Sequence, residues 1–275
     1  MKVTSLPSTI VNLFVILVNL FLISCVKDEN KNNFVSHLIF TPQSMEQEFI
    51  NYLYDESLPI WQNLKERNVI YELRVFKFNK IDSTTTDTTK CNFLILAQLA
   101  PQIDPHDFLK MENFIDDSLL KDTLEFQLIR TEILGCLPDA YFPSLSPKDP
   151  NEIDYWIEFI AVKDSSDYIE QYNNLMSKYF GPLNGELVKQ GTLYNIYMME
   201  TKEIVTQANN SLTWNQIHIS GDFPEYRNIN WDSLYTESFR NIFSCELDSV
   251  WTLLPPRLHS SFDCEGKLIQ ELYVK

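Results

Sequence analysis

Residues 58–78 read LPIWQNLKERNVIYELRVFKF, and residues 181–201 read GPLNGELVKQGTLYNIYMMET, 123 positions further along the chain. In each stretch, apolar residues at helical spacing give way to a strand-like run. The two stretches share a proline, a leucine and a tyrosine at matching positions: Pro59 and Pro182, Leu64 and Leu187, Tyr71 and Tyr194. Self-similarity at a fixed offset is typical of a structural unit that occurs twice.

The same offset continues downstream of both stretches. It pairs two prolines and three sets of apolar residues: Leu96 with Ile219, Pro101 with Pro224, Phe108 with Trp231, and Met111 with Leu234. Either the chain contains a duplication or these matches arose by chance. We predict the duplication, because so many matches rarely share one offset.

Each copy is predicted to run strand, helix, strand, strand, helix, strand. The predicted elements are 34–40, 44–67, 69–78, 93–99, 107–120 and 126–134 in the first copy, and 155–162, 166–188, 193–199, 212–220, 231–243 and 250–258 in the second. A further strand at 267–274 is predicted to form an edge hairpin. Such a βαββαβ unit folds as one four-stranded antiparallel sheet with both helices on one face.

We therefore predict an α+β fold made of two ferredoxin-like βαββαβ repeats. The first repeat is predicted to span 34–140, a linker 141–152, and the second repeat 153–275. The sheet of each repeat has an apolar face without helices. The two apolar faces are expected to bury each other within the chain, as a pseudo-dimer.

Two short runs, VIYELRV at 69–75 and WNQIHI at 214–219, resemble strands of known proteins. Together with the order of the elements, they are similar to the dimeric α/β-barrel superfamily, and VIYELRV resembles a strand of its NIPSNAP branch. The resemblance implies two units packed as a barrel, with substrates bound between sheet and helices. It also implies a cofactor-independent monooxygenase or isomerase, with haem binding as a lesser branch.

The first 33 residues predict where the protein is located rather than how it folds. A basic start at Lys2, an apolar run from Ile10 to Ile23 and the closing Ser24-Cys25 indicate a signal peptide over residues 1–24. The run is shorter than the roughly 20 residues that span a bilayer. Residues 22–25 resemble the bacterial lipobox, which implies a lipid such as palmitate on Cys25. An ordinary secretory signal would instead leave that thiol unmodified.

Residues 25–33 are predicted to form a tether. Within it, residues 26–29 read VKDE, which resembles the export signal of surface lipoproteins in Bacteroidetes, with a plain solvated tether as the alternative. The prediction is therefore a surface or periplasmic lipoprotein anchored through Cys25 to the bacterial cell envelope, at the outer membrane. Two or three acyl chains anchor a protein far more firmly than one chain does.

Composition narrows the classes of function. With 22 Lys and Arg against 38 Asp and Glu, the formal charge is −16, which disfavours nucleic acid as a partner. The sequence lacks GxGxxG, GxxxxGK[ST], GxSxG and HExxH, so nucleotide-binding, serine-hydrolase and zinc-protease functions lose support. No metal site and no cofactor are predicted. The cysteines after residue 25 lie outside CxxC pairs, and their pairing stays open: Cys91, Cys136, Cys245 and Cys264.

Histidine is scarce in this chain, and its side chain titrates near neutral pH. His37 falls in the first strand of copy one and His218 in the third strand of copy two, which are central strands of a ferredoxin-like sheet. We predict a ligand site that draws on His37, His218, Tyr194 and Trp214, with His218 as the candidate catalytic group. The alternative is that the histidines are hydrogen-bonded or exposed residues of the sheet and that Tyr194 and Trp214 belong to the core.

Two functions follow, in order of preference. The first is a membrane-anchored lipoprotein that binds a small apolar ligand or a protein partner without catalysis, because the usual catalytic motifs are missing. The alternative is a cofactor-independent monooxygenase- or isomerase-like enzyme, which the superfamily resemblance implies.

Overall fold

The computed structural model describes residues 33–82, 90–113, 126–162, 166–208, 213–226, 228–254 and 257–275. The predicted signal peptide, Cys25 and nearly all of the tether lie outside these ranges. Within them, no helix has both the length and the apolar character needed to cross a membrane. The cysteines in these ranges are free thiols.

In the described part of the chain, eight strands form a closed antiparallel barrel. Their bounds are β1 Asn33–Phe40, β2 Ile70–Asp82, β3 Phe93–Leu99, β4 Gln127–Phe142, β5 Asp154–Val162, β6 Leu193–Gln207, β7 Gln216–Asp222 and β8 Arg257–Leu268. Around the barrel they follow the order β1, β3, β2, β8, β5, β7, β6, β4, and β4 pairs again with β1. The ladders β2–β8 and β4–β6 join the first four strands to the last four.

Helices cover the outside of the barrel in two groups. The first group comprises α1 (Glu46–Tyr52), a π-helical turn (Leu53–Ser57), α2 (Leu58–Glu66) and α3 (Pro105–Glu112). The second comprises α4 (Ser166–Leu175), a π-helical turn (Met176–Phe180), α5 (Gly181–Lys189), α6 (Trp231–Phe243) and α7 (Leu247–Trp251). Short 3₁₀ turns occur at Gln43–Met45, Pro150–Glu152, Pro224–Tyr226 and Gln270–Leu272.

Each π-helical turn precedes a proline. Pro59 and Pro182 occupy the first turns of α2 and α5. In a regular helix a proline ring clashes with the carbonyl four positions earlier, and a widened turn before it relieves that clash. The helical path can therefore continue through both prolines. The two π turns lie 123 residues apart, which matches the offset found in the sequence.

The same offset recurs in the strands. β2 and β6 both carry a bulge after their first residue. Asn92 binds the backbone of Thr41 twice, because its Oδ1 accepts from the Thr41 N–H at 2.9 Å and its Nδ2 donates to the Thr41 carbonyl at 2.8 Å. Asn215, 123 residues later, makes the same two bonds with Val162, at 2.9 and 3.0 Å.

Alternation along the strands divides the buried residues into a barrel core and two outer cores. Side chains such as Phe34, Phe76, Ile157 and Ile219 fill the barrel interior and come from both halves of the chain. The first outer core packs α1, α2 and α3 against β1, β2 and β3. The second packs α4 to α7 against β4, β5 and β6. Burial of the inner apolar faces against one another is what favours closure of the sheet.

The last predicted strand begins later than expected. Residues 250–258, predicted as a strand, contain the end of α7, and β8 begins only at Arg257. Apolar residues recur at helical spacing in this segment, at Leu247, Val250 and Trp251. This local pattern favours a helix over a strand.

The predicted edge strand at 267–274 is also wrong. Its first two residues are the end of β8, and a 3₁₀ turn follows at Gln270–Leu272. Val274 then forms a single bridge with Leu73 of β2. The turn interrupts the pairing, so the C-terminal segment follows β2 without forming a regular hairpin.

β4 is longer than predicted. It runs to Phe142 instead of residue 134 and so enters the predicted linker at 141–152, because its last residues pair with β6 across the barrel. α3 ends at Glu112, where Asn113 adopts a left-handed conformation with φ 56° that is typical of a helix end. The remainder of the helix predicted at 107–120 lies outside the described residues.

Candidate active site

The residues predicted to form a ligand site lie in three places. His37 faces outward from β1 toward α2 and α3, whereas His218 faces outward from β7 toward α4. Tyr194 and Trp214 belong to the barrel core, near opposite ends of β7. The structure therefore does not bring the four side chains into one pocket.

His37 is held in a closed polar cluster. Its Nδ1 lies 2.9 Å from Thr131 Oγ1, and its Nε2 lies 2.9 Å from Glu112 Oε2. Glu112 Oε1 also accepts a hydrogen bond from Trp61 Nε1 at 3.1 Å. His37 and Glu112 are 1% and 3% exposed. Because the imidazole is engaged at both nitrogens and covered, this cluster stabilises the first outer core rather than offering a site for substrate.

The outer face of β5 and β7 is only partly covered by helices. Along β5 the burial alternates, so that Asp154, Trp156 and Glu158 are half-buried, whereas the outward residues of β1 are buried. His218 and Asp222 lie together on the outer face of β7, because alternate residues of a strand share a face. We call this surface, with α6 as its wall, the β5–β7 groove.

His218 and Glu158 are neighbours on the floor of the groove. They occupy opposite positions of the β5–β7 ladder, and His218 Nδ1 lies 3.9 Å from Glu158 Oε2. The ring of Tyr172 stacks on the imidazole with 6.1 Å between centroids. The side chain of His218 is 6% exposed and that of Glu158 is 39% exposed. Glu158 is therefore the member of the pair that solvent and a ligand reach first.

Asp222 lies four residues beyond His218 on the same face. Burial raises the pKa of its carboxyl to about 6, because a desolvated carboxylate is less stable than the neutral acid. Burial, and then the nearby carboxylates of Asp222 and Glu158, raises the pKa of the Tyr235 hydroxyl on α6. That hydroxyl donates to Asn184 Oδ1 at 2.5 Å. A carboxyl that titrates near neutral pH beside a neutral phenol is suited to proton transfer.

Negative charge is concentrated on this face of the sheet. Glu158 stands opposite Asp263 of β8, and Asp154 stands opposite Asp222. Like charges in directly opposite positions repel each other. Lys267 compensates Asp154 through an ion pair of 2.5 Å. The groove therefore favours a neutral or cationic ligand over an anionic one.

Neither a metal ion nor haem fits the described side chains. No group of three or more His, Cys, Asp or Glu among them could hold a metal ion. Haem needs a flat cavity, and the second outer core instead fills the space beside the groove with packed side chains. His37 has both ring nitrogens engaged, and His218 lies beneath Tyr172. The chemistry that the groove supports is that of its own side chains.

Sequence reasoning selected His218 but missed Glu158, Asp222 and Tyr235. The constant offset of 123 pairs His37 with Ile160, whereas in the sheet the position opposite His218 belongs to Glu158. The sequence pattern that could have identified Glu158 and Asp222 is the alternation that turns residues 154, 156 and 158 of β5, and 218, 220 and 222 of β7, to the outer face. That alternation predicts one face of each strand, but not the helix that packs beside it.

Comparison with known proteins concerns the fold. No protein-family model matches the chain, and no curated protein matches it. A monooxygenase-like protein from Lactobacillus acidophilus is 10% identical, with a TM-score of 0.45, over 90% of this chain and 97% of the other. A heme-binding protein from Thermus thermophilus is 11% identical, with a TM-score of 0.47, over 88% and 92%. A chlorite dismutase from Candidatus Nitrospira defluvii is 7% identical, with a TM-score of 0.47, over 88% and 93%.

The closed eight-stranded barrel with helices on its outside agrees with the predicted α/β-barrel fold at that coarse level. The prediction that the chain binds an apolar ligand or a protein partner without catalysis is wrong. The similar solved structures are instead monooxygenase-like, heme-binding, dye-decolorizing and chlorite dismutase proteins. Each of these activities belongs to that neighbour, since one fold hosts many functions.

Proposed function

We propose that this chain is a cofactor-independent enzyme that abstracts a proton from its substrate in the β5–β7 groove. Monooxygenases and isomerases of this kind share that first step. The observation that supports the proposal is the Asp222 carboxyl, whose pKa burial raises to about 6 and whose charge acts on the Tyr235 hydroxyl of α6. A general base works best when its pKa lies near the working pH.

The step balances in protons and electrons. Asp222 accepts the proton of a C–H bond conjugated with a carbonyl group, and the electron pair moves onto the carbonyl oxygen to give an enolate. Asp222 is half-buried, so it can release the proton to solvent directly. Return of a proton at another carbon completes an isomerisation. Reaction of the enolate with O2 instead converts a CH2 group to C=O and releases water.

The surroundings of the base indicate the class of substrate. The acidic floor of the groove disfavours anions. Half-buried Trp156 and Trp231 offer apolar contact at its edges, and Trp231 packs edge-on to Tyr235 with 6.0 Å between ring centroids. A neutral aromatic ketone with an acidic CH2 group therefore suits the groove.

Anthrone is a suitable probe, because its CH2 group is acidic and its conversion to anthraquinone consumes O2. We expect the mature chain to accelerate O2 uptake, and Asp222→Asn to lower the rate by about 100-fold or more. Asp107→Asn is the matched control, since it changes an exposed carboxylate on α3, outside the groove. Absence of acceleration, or equal rates for wild type and Asp222→Asn, would count against the proposal.

We also infer that the barrel consists of two ferredoxin-like repeats that arose by duplication. The order β4-β1-β3-β2 in the first half is repeated as β8-β5-β7-β6 in the second. The shared offset of the π turns, bulges and asparagine bonds supports the same inference. If the halves are equivalent, Asn92→Leu and Asn215→Leu should cost similar free energies of unfolding. A descent from the NIPSNAP branch stays a prediction.

We propose, finally, that the chain is anchored in the bacterial outer membrane by lipid on Cys25. The support is the sequence pattern of residues 1–25 alone. Labelled palmitate should enter the wild-type protein and not Cys25→Ala, and detergent partition should separate the two. Unmodified Cys25 at the N-terminus or within a longer peptide would refute the anchor.

A further inference from the structure

The barrel interior carries a polar cluster at one end, which we call the barrel mouth. Arg74 Nη2 of β2 donates to Glu72 Oε2 at 2.6 Å and to the Tyr197 hydroxyl of β6 at 2.7 Å. The hydroxyl of Tyr273, from the C-terminal segment, donates to Glu72 Oε1. Tyr141 stacks on Tyr197 with 5.0 Å between ring centroids. The acid–base groups of the β5–β7 groove face the other side of the sheet, so the mouth is a separate place in the fold.

Arg74 has hydrogen-bond donors that these contacts do not use. A guanidinium group carries five N–H donors, and both hydrogen bonds of Arg74 come from Nη2. Burial alone would lower the pKa of Arg74, but Tyr197 and Glu72 hold it well above the usual value. The guanidinium group of Arg74 therefore stays charged. Its N–H groups on Nε and Nη1 remain available to donate hydrogen bonds to a ligand, which we call the guest.

Asn195 supplies a second and independent indication. It is 0% exposed, and within the described part of the chain neither its Nδ2 nor its Oδ1 makes a well-formed hydrogen bond, although the Tyr197 hydroxyl is adjacent. It stands opposite Gly221 of β7, where a Cβ would lie 2.5 Å from Asn195 Oδ1. The glycine thus leaves room for the amide. Buried amides are normally paired, so the Asn195 amide is available to a molecule that is not part of the chain.

The surroundings require that the guest be neutral. Glu72 and Arg74 balance each other's charge, so an anion would add an uncompensated charge where little water reaches it. Burial raises the pKa of Tyr155 and of Tyr197, which keeps both hydroxyls neutral. A primary amide carries an acceptor for the Arg74 N–H groups, and a donor and an acceptor for Asn195.

We propose that the barrel mouth binds a small neutral molecule with a primary amide group, held by Asn195 and Arg74. The half-buried side chains of Glu72, Tyr141 and Tyr273 border solvent at this end and give the molecule a way in. Mouths of small barrels are common positions for ligands, which enter between strand ends without opening the sheet.

Acetamide tests the proposal, with acetate and acetone as matched molecules that lack the amide N–H. Isotope-labelled mature chain is titrated with each, and the side-chain amide signal of Asn195 is followed by NMR. We expect a saturable shift with acetamide and none with acetate or acetone. In Asn195→Leu, the acetamide-dependent shift of the backbone signal of Tyr197 should disappear. Gln216→Leu is the control, because it removes another fully buried amide, on the outer face of the sheet.

Three results would overturn the proposal. The first is the absence of a saturable acetamide effect, with crystals showing ordered water only between Asn195 and Arg74. The second is an equal response to acetate, which would mean that charge rather than the amide is recognised. The third is unchanged acetamide binding in Asn195→Leu. Should that variant fail to fold, the ranking of the three molecules on the wild-type chain decides alone.

Discussion

Replacement of the proposed base by its neutral amide, Asp222→Asn, should make the protein more stable at neutral pH while removing its activity. Burial raises the pKa of this carboxyl from 3.8 to about 6. A shift of one pKa unit corresponds to about 1.4 kcal/mol, so ionisation of Asp222 in the folded state costs about 3 kcal/mol at pH 7. A catalytic group that weakens the fold in which it sits is a frequent compromise in enzymes.

The sign of the effect follows from the direction of the shift. The folded protein holds the Asp222 proton more tightly than the unfolded chain, so this group favours folding below about pH 4 and that contribution is lost as the pH rises through about 6. Asparagine does not titrate. The free energy of unfolding of Asp222→Asn, relative to wild type, should therefore rise by about 2–3 kcal/mol between pH 3.5 and pH 7.

Urea unfolding at a series of pH values measures this difference directly. Other titrating groups contribute equally to both proteins, so they cancel when the two curves are subtracted. Asp107→Asn, which changes a carboxylate exposed on α3, is the matched control measured alongside. A flat difference curve for Asp222→Asn would refute the reasoning, because it would show that the carboxylate is as well stabilised in the folded protein as in water.

Three further predictions concern stability and are checked by urea unfolding at pH 7. Glu112→Ala leaves the buried histidine and tryptophan without their shared acceptor and should cost about 3 kcal/mol, whereas Glu112→Gln should cost less because one acceptor remains; equal costs would contradict this. Asn92→Leu and Asn215→Leu each remove two bonds to backbone groups and should each cost about 1–3 kcal/mol; a threefold disparity would contradict their equivalence. Gly181→Ala should cost more than Gly185→Ala, about 3 against about 1 kcal/mol, because its Cβ meets a backbone oxygen at 2.2 Å instead of a movable ring at 2.4 Å; the reverse order would argue that the backbone yields more readily.

Much of the secondary structure could be predicted because its signals are local. The strand at 93–99 and the helix at 231–243 have the bounds that periodicity predicts. Errors occur where local signals compete with distant partners. β4 extends to Phe142 because its last residues pair with β6. This pairing cannot be predicted from the residues of β4 alone.

The candidate site was less accessible to sequence reasoning. His37 and His218 were both chosen because they lie in predicted central strands. In the structure His37 is buried in a closed polar cluster, whereas His218 borders the β5–β7 groove. The difference comes from Glu112 and Trp61, which reach His37 from helices 75 and 24 residues away in the chain. Periodicity assigns a residue to a face, but it does not say what covers that face.

The sequence by itself determined the alternation of strands and helices and the offset of 123 residues, since each depends on residues close together or on a simple count. The lipid anchor at Cys25 stays a prediction from the sequence. The tertiary structure alone decided that the sheet closes through β2–β8 and β4–β6, and that Asp222, Glu158 and Tyr235 meet in one groove. The physical reason is register. Hydrogen bonds between distant strands decide which side chains stand opposite each other, and burial then decides which of those carboxyls has a raised pKa.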